Sequence, residues 1–172
     1  IMLLQLGCRH AQGYCIAKPM PGEALVAWWK HWQPPASWRQ ALEVDAIDHP
    51  LIFATVEHHA WLLAMEKCLD GERSTVPALS DYLRHLGLWL STEGHRRFKH
   101  SRVILELDAS YQHMCHIARE LVACHAGGQS DTARARLDQL FGLQDDLKCQ
   151  IQSLMASQQT LDSALFQRPI HE

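Results

Sequence analysis

The chain has 172 residues, enough for one sizeable domain with a small additional segment and too few for two full enzyme domains. Apolar residues make up 47% and charged residues 20%, a globular mixture that argues against general disorder. The formal charge of -3 leaves no basic excess for nucleic acid or an anionic membrane, and the apolar runs are too short for a transmembrane helix. Six scattered cysteines without a CxxC pair favour reduced thiols, which predicts a cytoplasmic location.

Turn-forming residues dominate the start of the chain. Residues 13–17 are predicted to form a short strand, and the apolar spacing predicts a helix over residues 23–32. Pro34 and Pro35 then interrupt the pattern, which places a boundary after residue 33 and a linker over residues 34–49. Because one strand cannot form a sheet, we expect residues 1–33 to be a remnant of a larger domain and the chain to be an excised fragment.

From residue 50 onward, apolar residues recur with a helical period. The pattern predicts helices over residues 50–70, 77–90 and 98–126, with a fourth helix capped by Ser130 or Asp131. We expect the second helix to break at Gly87 and end at Gly94, and Gly127–Gly128 to close the third. Four amphipathic helices with short connections predict a mainly α chain, with an antiparallel four-helix bundle over residues 50–158 and a loose tail over residues 159–172.

Each of the three longer helices has its own inward stripe. The predicted inward residues are Leu51, Thr55, His58, Leu62, Met65 and Leu69 on the first, Ile104, Leu107, Tyr111, Met114, Cys115, Ala118, Leu121 and Val122 on the third, and Leu137, Leu140, Leu147, Ile151 and Leu154 on the fourth. These stripes place one histidine, one tyrosine and one cysteine on faces directed towards the interior.

Three short motifs lie near the start of the chain: Leu6-Gly7-Cys8, Gln12-Gly13-Tyr14 and Lys18-Pro19-Met20-Pro21. Together they resemble the C-terminal end of EAL domains, the cyclic-di-GMP phosphodiesterase barrels, over about residues 1–32. The resemblance implies that Gln12 corresponds to an active-site glutamine. It also implies that the family's metal-binding carboxylates and catalytic lysine lie upstream, outside this chain. Because two-metal phosphodiester hydrolysis needs several acidic ligands, we expect this chain not to be an enzyme.

The later helices carry His58-His59-Ala60-Trp61, then Arg84-His85-Leu86-Gly87-Leu88-Trp89, then Tyr111 to Cys115. This framework resembles the chemoreceptor zinc-binding (CZB) domain, a four-helix bundle that holds one zinc ion with three histidines and one cysteine. The resemblance implies that His58 matches the first ligand. Arg84, Tyr111 and Cys115 stand at the positions of the other three. An arginine has no lone pair to give a metal, and tyrosine is a poor zinc ligand.

Two interpretations of these positions remain open. In the first, the site is degenerate and no metal or other cofactor binds, with Tyr111 hydrogen-bonded to a neutral His58 and Cys115 filling space as a small apolar group. Arg84 then either pairs with Glu57, Asp81 or Asp108 or lies exposed. In the second, zinc binds to relocated ligands: His58, His85, Cys115 and one further group. The helix spacing points His113 and His116 away from the inward stripe, which counts against their being that fourth ligand.

The two resemblances predict a C-terminal regulatory segment of a bacterial cyclic-di-GMP signalling protein, of the EAL or GGDEF-EAL type. We expect the bundle to relay a signal to the upstream EAL domain through helix packing or through a homodimer, with neither nucleic acid nor membrane as a partner of this segment. A zinc-sensing domain with relocated ligands is the alternative. A segment with residual phosphodiesterase activity is the third hypothesis, and Gln12 alone cannot supply that activity.

Overall fold

A computed structural model describes residues 1–39, 41, 43–99 and 101–166 of the chain. The chain divides into two compact units, Ile1–His49 and a larger one that begins at Pro50. Regular structure is helical throughout the described residues, with no strand among them, so the prediction of a mainly α chain is confirmed. None of the described helices is long and apolar enough to cross a membrane.

The described residues of the first unit contain three short helices and one 3-10 turn. Helix α1 spans Met2–Gln5, α2 spans Gly22–His31, α3 spans Ala36–Arg39, and the 3-10 turn spans Ala46–Asp48. Helix α2 follows Pro21 and ends before Trp32, within one residue of the predicted bounds. A proline before a helix costs no hydrogen bond, because the first N–H groups of a helix have no partner within it.

The strand predicted over residues 13–17 is wrong, because this segment forms a turn. The N–H groups of Ile16 and Ala17 both donate to the carbonyl of Gly13, at 2.9 and 3.0 Å. A strand needs a neighbouring strand to satisfy its backbone groups, and the described residues contain none. The local turn supplies those hydrogen bonds instead.

The described residues of the second unit form four longer helices, the first of which starts one residue before the unit. Helix α4 spans His49–Leu69, α5 spans Leu79–Trp89, α7 spans Arg102–Ala126 and α8 spans Ser130–Phe166. Between α5 and α7 the chain forms a π-helical segment, Leu90–Gly94, and the short helix α6, His95–Arg97. Helix α7 begins four residues later than predicted, and α8 continues past Gln158 into the predicted tail. The rest of that tail, residues 167–172, lies outside the described residues.

Two glycines show different outcomes for the predicted helix stops. Gly128 has a φ of +71° and follows the last turn of α7, where the N–H of Gln129 donates to the carbonyl of Cys124 at 2.9 Å, so the predicted stop is confirmed. Gly87 does not break α5, which runs through it to Trp89. A Cβ atom at Gly87 would overlap the hydroxyl of Tyr111, so this glycine permits a close helix–helix approach.

Side-chain contacts connect these four helices in the order α4–α5–α7–α8–α4. His58 of α4 stacks on Tyr82 of α5, and the Tyr111 hydroxyl of α7 donates to the Leu83 carbonyl of α5 at 2.8 Å. Gln150 of α8 donates to Ser110 of α7 at 3.0 Å. Gln144 of α8 contacts His59 of α4 at 3.3 Å, and Arg134 of α8 forms an ion pair with Asp70, the residue after the end of α4. Each of the four helices therefore contacts two others.

The core of the second unit follows the predicted inward stripes. Nearly all of the predicted residues are buried, whereas Thr55, Leu69 and Val122 are only half-buried. On α5 the buried residues are Tyr82, Leu86 and Trp89, which are spaced by four and three positions. This α5 stripe places the Tyr82 ring against His58 and Trp61 of α4, and the Trp89 ring against Phe98, which precedes α7.

Candidate functional site

His58, which matches the first zinc ligand of the CZB resemblance, lies in the interior of the second unit. Only 1% of its surface is exposed, and its imidazole stacks on the ring of Tyr82 with 4.4 Å between ring centroids and 29° between planes. Helix α4 directs His58 inwards because it belongs to the same stripe as Leu51, Leu62 and Met65. The contact is therefore an aromatic stack inside an apolar core.

Neither ring nitrogen of His58 has a hydrogen-bond partner among the described residues. Burial lowers the pKa of His58 from 6.5 to about 4, and the nearby Tyr82 backbone and Glu57 carboxylate only partly oppose this shift. His58 is consequently neutral at pH 7. A neutral imidazole without a partner is costly to bury, and the stack on Tyr82 offsets part of that cost.

Tyr82 is the central residue of this interior, and the sequence-based predictions missed it. Its ring also packs against Trp61, with 4.8 Å between centroids, while Trp61 Nε1 donates to the Ala78 carbonyl at 3.1 Å. The Tyr82 hydroxyl is buried without a hydrogen-bond partner among the described residues, and burial raises its pKa. Its spacing from Leu86 and Trp89, four and seven positions, is the sequence signal that would have identified it as inward.

Tyr111 and Cys115 lie one turn apart on α7. Both are buried, but Tyr111 donates to the Leu83 carbonyl, so the predicted hydrogen bond from Tyr111 to His58 is wrong. The reason is the close approach at Gly87, which brings the Tyr111 hydroxyl against α5. Burial raises the pKa of the Cys115 thiol, so the thiol is neutral and fills space in the core.

Arg84 does not point into this interior. Its side chain is 60% exposed and forms an ion pair with Asp81, one turn earlier on α5, at 2.8 Å. Of the three acids considered as partners, the structure therefore selects Asp81. Position 84 differs from Tyr82 by two residues, which is about 200° around a helix, so the two side chains leave α5 in nearly opposite directions.

The remaining histidines considered as ligands lie outside the His58–Tyr82 stack. His85 is half-buried, and its Nδ1 donates to the Glu57 carboxylate at 2.5 Å while its ring contacts Phe53. His113 and His116 are exposed, as the helix spacing predicts. Across the described parts of the chain, no three His, Cys, Asp or Glu side chains form a group able to hold a metal ion.

The residues implied by the zinc-binding resemblance do not fit a zinc ion. The four positions present a stacked imidazole, an exposed guanidinium, a phenol bonded to a backbone carbonyl and a protonated thiol. Zinc requires neutral imidazoles, thiolates or carboxylates converging in a tetrahedron. What the arrangement does provide is a continuous contact from α4 through α5 to α7, made by His58, Tyr82, Leu83 and Tyr111.

Gln12, the one position that matches the EAL active site, lies in the first unit. It is exposed and precedes the turn that starts at Gly13. The chain matches no protein-family model, no curated protein and no solved structure.

Proposed function

We propose that the unit from Pro50 onward is a regulatory four-helix bundle of a bacterial cyclic-di-GMP signalling protein, with a degenerate zinc site. In this proposal the first residues are the end of an EAL phosphodiesterase domain. The observation that carries the proposal is the His58–Tyr82 stack, which occupies with aromatic packing the position where the resemblance implies a metal.

Helix α5 is the element through which a signal would pass. It supplies the Tyr82 ring to α4 and the Leu83 carbonyl to α7, and its Gly87 permits the approach of Tyr111. A displacement of α5 therefore cannot preserve both contacts at once. Packed interfaces of this kind switch between discrete arrangements rather than deforming continuously. A change in α5 would alter how the bundle meets an identical bundle or the upstream domain.

The proposal treats this chain as non-catalytic. Gln12 is the one residue that matches an EAL site position, and a glutamine cannot replace the acidic ligands of a two-metal phosphodiesterase. A cyclic-di-GMP hydrolysis assay on this chain is expected to show no turnover. Turnover that disappears in Gln12→Ala would instead favour the residual phosphodiesterase.

The direct experiment uses the longer protein in which this segment follows its phosphodiesterase domain. Three forms are compared: the intact protein, a form that ends before Pro50 and so lacks the bundle, and the Tyr82→Leu variant. Tyr82→Leu keeps an apolar side chain and removes the stack. We expect truncation and Tyr82→Leu to change the hydrolysis rate or the oligomeric state in the same direction. Identical activity, oligomeric state and ligand response in all three forms would contradict the regulatory proposal.

The second candidate, a zinc sensor with relocated ligands, is favoured by one observation: both ring nitrogens of His58 are buried without a partner among the described residues. A metal would satisfy one of them. Elemental analysis after purification without chelator separates the candidates. The degenerate site predicts no stoichiometric zinc in the wild type, whereas the sensor predicts one zinc per chain that is lost in His58→Ala.

A further inference from the structure

A groove of about 620 Å³ runs along the outer seam between helices α4 and α8. The two helices are antiparallel there, because His59 contacts Gln144 while Asp70, the residue after the end of α4, contacts Arg134, earlier on α8. The groove is lined by residues of both helices, among them Val56, Ala60, Leu63, Phe141, Asp145 and Lys148. These six residues all belong to the second unit, and none takes part in the His58–Tyr82 stack.

The α4 side of the groove is an exposed apolar ridge. Val56, Ala60 and Leu63 are spaced by four and three positions and so share one face, with 46% of Val56 and 41% of Leu63 exposed. Helix α4 has no charged residue between Glu57 and Glu66, although its opposite face is already buried in the core. A helix that is apolar on both faces is typical of one that is covered on both.

The α8 side of the groove carries one acid and one base. Asp145 and Lys148 are exposed and lie one turn apart on α8, and their side chains make no ion pair or hydrogen bond with the other described residues. A rim with balanced charge does not select a strongly anionic or cationic partner. This rim is complementary to the same rim of a second copy related by a two-fold rotation. Asp145 of each copy then faces Lys148 of the other, in two symmetric pairs.

The apolar ridge and the charged pair are compatible with a single two-fold axis. The middle of the ridge lies at His59–Ala60, opposite Gln144, and the middle of the charged pair lies within about one helical turn of Gln144, 5.4 Å. The two middles differ by about 4 Å along the helices, and an axis midway between them brings Val56 towards Leu63 and Asp145 towards Lys148 of the second copy, each pair with an offset of about 4 Å that the long Lys148 side chain can span. In such an isologous contact, residue i meets residue j and residue j meets residue i.

We infer that this α4–α8 groove is the surface through which two copies of the chain associate. The inference rests on the proposed function, in which the bundle meets either an identical bundle or the upstream domain; it selects the identical bundle and specifies the interface. The apolar ridge supplies the buried centre, and the reciprocal Asp145–Lys148 pairs set the register and exclude partners without the complementary pattern.

Charge reversal tests the pairing directly by sedimentation. Asp145→Lys and Lys148→Asp are each expected to raise the dimer dissociation constant by about ten-fold or more, because each places like charges opposite one another. The double variant with both reversals should recover wild-type affinity. Mixing the two single variants should give a mixed dimer tighter than either variant alone. Asp146→Lys, the same charge change one residue away and outside the groove, is the matched control and should leave the dissociation constant unchanged.

The apolar ridge is tested with Leu63→Glu against Leu105→Glu, a similarly exposed leucine on α7. We expect a monomer from the first and a dimer from the second, with unchanged helical circular dichroism in both. A monomeric wild type would overturn both this inference and the association step of the proposed function. A dimer that is unaffected by the charge reversals and by Leu63→Glu would overturn the inference alone, because association would then use another surface.

Discussion

Tryptophan and tyrosine side chains that are exposed in the first unit of this chain have buried counterparts in the second unit. In the first unit, 72% of Trp29 and 75% of Tyr14 are exposed; in the second, 3% of Trp61 and 1% of Tyr82 are exposed. The difference does not follow from helix length, because α2 has ten residues and α5, which carries Tyr82, has eleven. It follows from the neighbouring elements: α5 packs its apolar stripe against α4 and α7, whereas α2 has no buried residue. An aromatic residue therefore becomes core only where neighbouring elements present matching faces.

The largest expected effect comes from the same substitution made in both units. Trp61→Ala should lower the free energy of unfolding by about 3–5 kcal/mol, because it removes a buried indole that packs on Tyr82. Trp29→Ala should change it by less than about 0.5 kcal/mol, because that side chain is exposed. Urea unfolding followed by helical circular dichroism measures both, and equal losses would break the comparison between the units.

The next effect is a pH dependence that belongs to the second unit. Because the pKa of His58 falls from 6.5 to about 4 on folding, the unfolded chain binds more protons between these values, and stability decreases as pH falls through this window. The loss should reach up to about 3 kcal/mol at pH 4. His58→Phe, which keeps a ring against Tyr82, should reduce this dependence, as measured by urea unfolding at pH 7 and pH 4.5. His113→Phe, at an exposed position, is the control and should leave the dependence as it is.

A smaller effect is expected at the contact between α5 and α7. Gly87→Ala should cost about 1–3 kcal/mol, because the new methyl group would displace the Tyr111 hydroxyl from the Leu83 carbonyl. Adding Tyr111→Phe removes that hydroxyl and should recover part of the loss. Gly142→Ala, at a helical glycine with open space, should instead gain about 0.5–1 kcal/mol. Equal behaviour of the two glycines in thermal unfolding would argue against the close approach at Gly87.

The smallest effect is expected at Arg84. Its ion pair with Asp81 is exposed on both sides, so Arg84→Ala should change the free energy of unfolding by less than about 1 kcal/mol. The measurement is decisive for the orientation of this side chain. A loss of about 3 kcal/mol or more would indicate a buried, paired arginine in the interior.

Much of the helical fold could be predicted from the sequence because local and tertiary preferences agree there. Apolar spacing located the inward faces of α4, α7 and α8, and the glycine pair after Ala126 marked the end of α7. The prediction at Gly87 was wrong, because the sequence alone does not distinguish a glycine that permits a close helix–helix approach from a glycine that ends a helix. The strand over residues 13–17 failed because a strand depends on neighbours that a local pattern does not reveal.

The candidate site was less predictable than the fold. The stripe of α4 correctly placed His58 inside, and helix spacing correctly kept His113 and His116 outside. The contact between Tyr82 and His58 was not predicted. The partner of His58 was sought among residue types that bind metals, whereas its actual partner is an aromatic ring. The hydrogen bond of Tyr111 to Leu83 depends on how closely two helices approach, and that distance is set by packing rather than by spacing along one helix.

The most direct test of a packed, metal-free interior is the unfolding free energy measured in added zinc and in chelator. A ligand that binds only the folded chain stabilises it by about 2.7 kcal/mol at one hundred times its dissociation constant. We predict that the unfolding midpoint of the wild type is the same in zinc and in chelator. The midpoint of His58→Ala should likewise not change between these two conditions. A midpoint that rises with zinc in the wild type and stays constant in His58→Ala would contradict a packed, metal-free interior.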